Sequence, residues 1–222
     1  MPDDVVAGQL AYYRARAGEY DATSYGEAPR MRDAIAGVVD AMHIDGDVLE
    51  LAGGTGAWTV ELARVARSVT YVDGAPEMAA LARAKLPDPA VTFEIADLFS
   101  YRPSRRFDVV FFAAWLSHVP DSQFDAFWAV VDECLAPDGR VLFLDELPAR
   151  AHLEPAPFDS DDGPLATRTL ADGSQHVIVK KFWAPHALEA RLASIGWTAT
   201  VTPTVHDWYV GEARRAAARR SG

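Results

Sequence analysis

The chain has little of several things. It holds one cysteine, Cys134, so no intrachain disulfide can form, and its composition suits a reducing compartment. No apolar run approaches the roughly 18 residues of a membrane span. The first residues, with Asp3 and Asp4 among them, lack the basic stretch and apolar core of a secretory signal. The expectation is therefore a cytoplasmic protein with no membrane attachment. Positive charge is also scarce: 21 Lys and Arg stand against 32 Asp and Glu, a formal charge of −11. That argues against a general nucleic-acid binder, because phosphate contacts need a basic surface. The exception is the tail, where Arg214, Arg215, Arg219 and Arg220 interleave with alanines and read as a solvated, fraying helix end. The histidines show no tight metal-ligand spacing, so no metal is expected. No internal repeat is visible, and 222 residues can bury the core of one domain.

What is present centres on Asp47 to Thr59. Val48, Leu49 and Leu51 suit a strand buried on both faces, and Gly53, Gly54 and Gly56 then let the backbone turn sharply beside a ligand. Seventeen residues beyond Gly56 a second apolar run, Val69 to Val72, ends in Asp73. That is close to the offset of about 20 residues at which a nucleotide-binding sheet places its ribose-holding carboxylate. A dinucleotide fingerprint would carry a third glycine and set a pyrophosphate on the helix N-terminus. Here Thr59 replaces that glycine, and Glu50 would repel a pyrophosphate. A positively charged ligand fits better.

These residues resemble the first motif of the class I S-adenosylmethionine-dependent methyltransferases: an acid, a spacer and a glycine-rich turn at the end of the first strand. The departure is Ala52, which stands where the first glycine would be and puts a methyl group at the amino-acid pocket. The resemblance implies a Rossmann-like α/β fold, a seven-stranded mixed sheet with its last strand antiparallel and helices on both faces. It also implies S-adenosylmethionine as cofactor and S-adenosylhomocysteine as product. Glu50 would favour the methionine ammonium, Ala52, Gly53, Gly54 and Gly56 would admit the backbone, Asp73 with Gly74 would hold the ribose, and Asp97 with Leu98 the adenine. Met78 would lie under the adenine or belong to the core. An N-terminal segment, residues 1–27, would close over the cofactor as a lid, with Tyr12 and Tyr20 near it, or else pack as an ordinary surface helix.

Along the rest of the chain, Met31, Ile35, Val38, Val39 and Met42 predict a helix over 28–43. Strands are expected at 68–73, 91–95, 106–114 and 140–145, with helices opening at Pro76 and running over 121–135. The third strand ends in Asp97, so three acids stand at three strand ends, where ligands of open α/β sheets bind. After the fourth strand comes Trp115-Leu116-Ser117-His118. In the resembling family this loop lines the space between methyl group and substrate. His118, with an ordinary pKa near 6.5, is the histidine placed to remove a proton there; alternatively it hydrogen-bonds the backbone and shapes the loop. Asp145, at the end of the fifth strand, would touch substrate or cap a turn. The proline-rich, acidic stretch 147–173 predicts a cap-like insertion on the substrate side of a catalytic domain spanning 28–222. A strand over 176–183, a helix over 185–195 and a long strand over 198–210 then complete the sheet.

The resulting expectation is methyl transfer by in-line displacement to a small-molecule acceptor, an oxygen or nitrogen rather than carbon. Trp115, Tyr12, Tyr25 and Trp183 suit an aromatic or flat acceptor as readily as a plain wall. Two rivals share the sheet: a NAD-dependent oxidoreductase, against which Glu50 and Thr59 speak, and a non-catalytic S-adenosylmethionine-binding protein.

Overall fold

A computed structural model describes residues 2–26, 28–86, 91–153 and 158–217. Every residue of β1 (Asp47–Leu51) after Asp47 is buried, as a strand covered on both faces requires. It pairs in parallel with β2 (Ser68–Asp73) on one side and β4 (Phe107–Ala113) on the other. The sheet continues in parallel through β3 (Val91–Ile95) beyond β2 and β5 (Leu135–Glu146) beyond β4. Antiparallel to β5 lies β9 (Trp208–Arg215), and β8 (Trp197–Pro203) pairs antiparallel with β9 at the edge. The order is β3-β2-β1-β4-β5-β9-β8, the seven-stranded mixed sheet expected from the sequence.

Because side chains alternate across a strand, β1 feeds two cores. Val48 joins Tyr71 and Phe111 beneath Ile35 and Val39 of α2 (Ala28–Ala41), Leu62 of α3 (Ala57–Val65) and Ala79 and Ala82 of α4 (Pro76–Lys85). Leu49 and Leu51 face the other way. They share a core with Phe127 and Trp128 of α5 (Phe124–Cys134) and Leu188 and Leu192 of α6 (Pro185–Ser194). The ring of Phe112 stacks on Phe143 at 5.6 Å. With both faces covered, the carboxyl ends of the parallel strands are the rim available to a ligand.

The C-terminal third differs from the sequence reading. Residues 176–183 do not join the main sheet; β7 (Gln175–Val179) pairs with β6 (Leu165–Thr169) in a separate two-stranded hairpin. The expected long strand over 198–210 is the two strands β8 and β9, joined by a turn with Asp207 at φ 56°. Both strands are half-buried and alternate with period two, so their pattern runs across the turn without a visible break. Arg214 and Arg215 belong to β9 and not to a fraying helix: Arg215 ion-pairs with Asp132 and donates to the Leu135 and Ala136 carbonyls. Arg219 and Arg220 lie outside the described residues, as do residues 154–157 of the proline-rich stretch. The described part of that stretch holds a short 3-10 segment, Pro148–Leu153, and β6.

The N-terminal helix α1 (Pro2–Ser24) crosses the carboxyl ends of the strands. Gln9 ties it to the hairpin, accepting from Val179 N–H (3.1 Å), and to the loop after β4, donating to the His118 carbonyl (2.9 Å). Arg14 ion-pairs with Glu77 of α4, and Asp21 pairs with Lys85 and accepts from the Thr55 hydroxyl of the glycine turn. Among the described residues no helix is long and apolar enough to cross a membrane.

Candidate active site

Between α1 and the strand ends lies a cavity lined by Val6, Gln9, Leu10, Tyr13 and Tyr20 from the helix, Ala52 and Gly54 after β1, and Asp73, Gly74 and Met78 after β2. Asp97, Leu98 and Phe99 after β3, and Ala113, Ala114, Trp115 and His118 after β4, complete it. Glycine is needed at two neighbouring positions that the lining does not include. A Cβ at Gly53 would stand 2.2 Å from the Tyr71 ring. One at Gly56, where φ is +83°, would meet the Ala82 backbone at 2.9 Å. These glycines let the turn pack against β2 and α4, while Gly54 faces the cavity. Ala52 occupies the left-handed region at φ 56°. The backbone there has the shape a glycine would hold most cheaply, which explains why the resembling motif carries glycine at that place.

The acids differ in surroundings. Asp73 accepts from Gly54 N–H (2.9 Å) and Ala75 N–H (2.8 Å), one on each oxygen, and so stitches the glycine turn to the end of β2. Burial raises its pKa against hydrogen bonds from the Ala75, Gly54 and Gly74 amides. A carboxylate offers about four acceptor sites, so room for a ligand's donor remains. Asp97 is exposed and caps its own turn, accepting from Phe99 N–H (3.2 Å) and the Ser100 hydroxyl (2.6 Å). Glu50 is buried behind the cavity wall, and its Oε2 has no partner among the described residues. Burial first, opposed by the nearby Thr59 hydroxyl and helped by the negative charge of Asp73, pushes its carboxyl up to about 8.

On the opposite wall a 3-10 turn, Leu116–His118, carries His118. Asp145 fixes that turn, accepting from Ser117 N–H and Glu146 N–H, each at 2.8 Å. Asp145 is buried and does not line the cavity, so the expectation of substrate contact gives way to a role in holding the loop. His118 Nδ1 lies 2.8 Å from the Val179 carbonyl, and Tyr13 Oη lies 2.9 Å from Nε2. A carbonyl only accepts, so Nδ1 carries the proton and the Nε2 lone pair accepts from the tyrosine. Burial first, then the charge of Lys180, holds this imidazole well below its ordinary range; Arg168 and Arg16 act the same way, and the Val179 bond opposes them. Lys180 itself pairs with Glu146 at 2.6 Å.

Comparison with known proteins decides the family. Residues 48–139 match the model of a methyltransferase domain. A solved structure of DhpI with SAH is 39% identical, covers 96% of this chain and 98% of its own, and superposes with a TM-score of 0.83. A DhpI–SAM–HEP complex is 41% identical over 95% of this chain and 97% of its own, with a TM-score of 0.80. An uncharacterized methyltransferase of Staphylococcus carnosus is 28% identical over 144 residues, 62% of this chain and 68% of the relative. The chain belongs to the class I S-adenosylmethionine-dependent methyltransferases. Its cofactor is S-adenosylmethionine and its product S-adenosylhomocysteine; the oxidoreductase and non-catalytic readings fall.

The methyltransferase's cavity fits a phosphate-free cation. No Lys or Arg lines it among the described residues, and Glu50 keeps a buried acceptor oxygen without a donor. Of the residues singled out from the sequence, Tyr20, Ala52, Gly54, Asp73, Gly74, Met78, Asp97, Leu98, Trp115 and His118 meet in the lining. Glu50, Gly53, Gly56, Asp145 and Tyr12 do not. Tyr12 turns away into a small core with Ala166, Leu170 and Ile178, and Tyr13, one residue on, takes the place beside the cavity. Sequence reasoning misses Gln9, Leu10, Tyr13 and Phe99. The signal for α1 is weak because its apolar residues follow no single helical stripe, being shared among the hairpin, the cavity and α4.

Proposed function

We propose that this enzyme methylates a hydroxyl or amine of a small-molecule acceptor, with His118 taking the acceptor's proton. The single observation that carries the reading is a buried imidazole on the cavity wall after β4 whose Nδ1 lies 2.8 Å from the Val179 carbonyl, which leaves Nε2 as the nitrogen able to take a proton. DhpI, solved in complex with both SAM and HEP, supports a second ligand bound alongside the cofactor. When bound, S-adenosylmethionine supplies an electrophilic methyl group on a sulfonium. The chain's own part is to hold, orient and keep dry. Glu50 would face the methionine ammonium through the glycine turn, Asp73 and Gly74 would take the ribose hydroxyls, and Asp97, Leu98 and Met78 would bound the adenine. Gly53 and Gly56 fix the turn that lets Gly54 approach, and Tyr20 covers it from α1. Trp115, edge-packed with Phe127 and beside Phe99, gives a flat apolar wall that suits an acceptor with an aromatic part. In this reading residues 1–27 are a lid and the hairpin within and after 147–173 is a cap; together they exclude water from an in-line displacement.

The test is transfer of a labelled methyl group to a panel of phenols, alcohols, amines and carboxylates, with HEP included. A His118→Gln enzyme should lose about a hundredfold in kcat with unchanged cofactor Kd. Equal kcat across pH would remove the base role, and transfer to carbon alone would remove the acceptor class.

A further inference from the structure

We propose that Tyr13 relays the proton, so that the base of this enzyme is a tyrosine–histidine pair; the inference rests on the reading of His118 given above. The one lone pair that His118 offers is engaged by the Tyr13 hydroxyl at 2.9 Å. An acceptor that reached Nε2 directly would have to displace a tyrosine held on several sides. Its ring packs edge-on against Tyr12 (5.0 Å) and His118 (5.6 Å) and tilted to Tyr20 (6.4 Å). Gln9, one turn earlier on α1, locks the helix to both segments that position the imidazole. Displacement therefore means breaking that packing. Relay means moving only protons.

Tyr13 lines the cavity, and its oxygen, while donating to Nε2, still accepts. Burial, with Tyr20 and Tyr12 alongside, keeps this hydroxyl protonated well past its ordinary range. At rest the pair is thus neutral tyrosine and neutral imidazole. As the acceptor atom bonds to the methyl carbon, the carbon–sulfur bond breaks with its electron pair staying on sulfur. The acceptor's proton passes to the Tyr13 oxygen, and the tyrosine's own proton passes to Nε2. One positive charge leaves sulfur and one appears on imidazolium. The cations facing that imidazolium, Lys180 after β7, Arg168 of β6 and Arg16 of α1, then favour its release of the proton.

Two measurements on full-length protein test this. The first needs no substrate: ring nitrogen resonances of 15N-histidine protein at neutral pH. Wild type should show His118 protonated at Nδ1 with a hydrogen-bonded Nε2, and Tyr13→Phe should move Nε2 alone toward a free nitrogen. The same Nε2 resonance in both overturns the pair. The second is kinetic, with the fastest acceptor of the panel. Tyr13→Phe, which keeps the ring, should lower kcat about a hundredfold with the KM for S-adenosylmethionine little changed. Combined with His118→Gln it should cost no more than the worse single change, as for residues acting as one unit. A slow His118→Gln beside an unchanged Tyr13→Phe means that histidine acts alone, which overturns the relay and keeps the base. Multiplicative losses mean separate roles and overturn it too. If neither substitution matters, the reading of His118 falls and takes the relay with it.

Discussion

Along the rim of Ala52, Gly54, Asp73 and Asp97, each lining residue sits next to the strand end that positions it. The wall opposite is assembled from distant pieces: Gln9 and Tyr13 reach the His118 turn across 109 and 105 residues of sequence, and Gln9 reaches Val179 across 170. The first region is held by near neighbours, since Asp73 ties two main-chain amides next to the strand ends. The second is anchored by Asp145 of β5 but is completed only when α1 and the hairpin arrive. On the function proposed above, cofactor capture and acceptor chemistry are therefore separable, and substitutions should fall on one side or the other.

The largest effect is expected on the cofactor side. Asp73→Ala should weaken S-adenosylmethionine binding by about a hundredfold or more and, by orphaning the Gly54 and Ala75 amides, cost roughly 2–4 kcal/mol of stability. Titration calorimetry and denaturant unfolding measure the two. Loss of stability without loss of affinity would collapse the distinction, because Asp73 would then be structural alone. On the acceptor side, Gln9→Ala should cost about 2 kcal/mol by the same argument. It should also lower kcat while leaving the cofactor Kd nearly unchanged; a large change in that Kd would show that the two walls act as one.

Acid–base behaviour sharpens the contrast. Glu50 holds its proton in the folded state up to about pH 8, whereas the unfolded chain releases it near 4.5. Between those values the folded state binds more protons, so the stability of cofactor-free protein should decline as pH rises from about 4.5 to about 8 and level off above. Glu50→Gln should remove that decline, read as a melting midpoint less dependent on pH. If Glu50 faces the cofactor's ammonium, binding should release a proton and tighten with pH over the upper part of the same window. The smallest effect concerns strain present on both sides: Ala52 (φ 56°) and Ala114 (φ 50°) both end strands in the left-handed region. Glycine at either relieves about 1 kcal/mol, partly offset by the entropy glycine adds to the unfolded chain. Each variant should gain at most about 0.5 kcal/mol in denaturant unfolding.

Sequence alone determined which acids stand at the ends of the first three parallel strands. An apolar run ending in an acid is a local pattern, and a parallel sheet necessarily brings such ends together, so the pattern by itself assigns Glu50, Asp73 and Asp97 to one rim. The same logic locates the His118 loop after β4. Tertiary structure alone decided which tyrosine of α1 faces the cavity, that Asp145 anchors the His118 turn, that residues 175–179 form a hairpin outside the main sheet, and that 198–210 breaks into two strands. Those outcomes depend on contacts between segments far apart in the chain, or on a turn that leaves the alternation of buried and exposed residues intact, and neither leaves a periodic trace in the sequence.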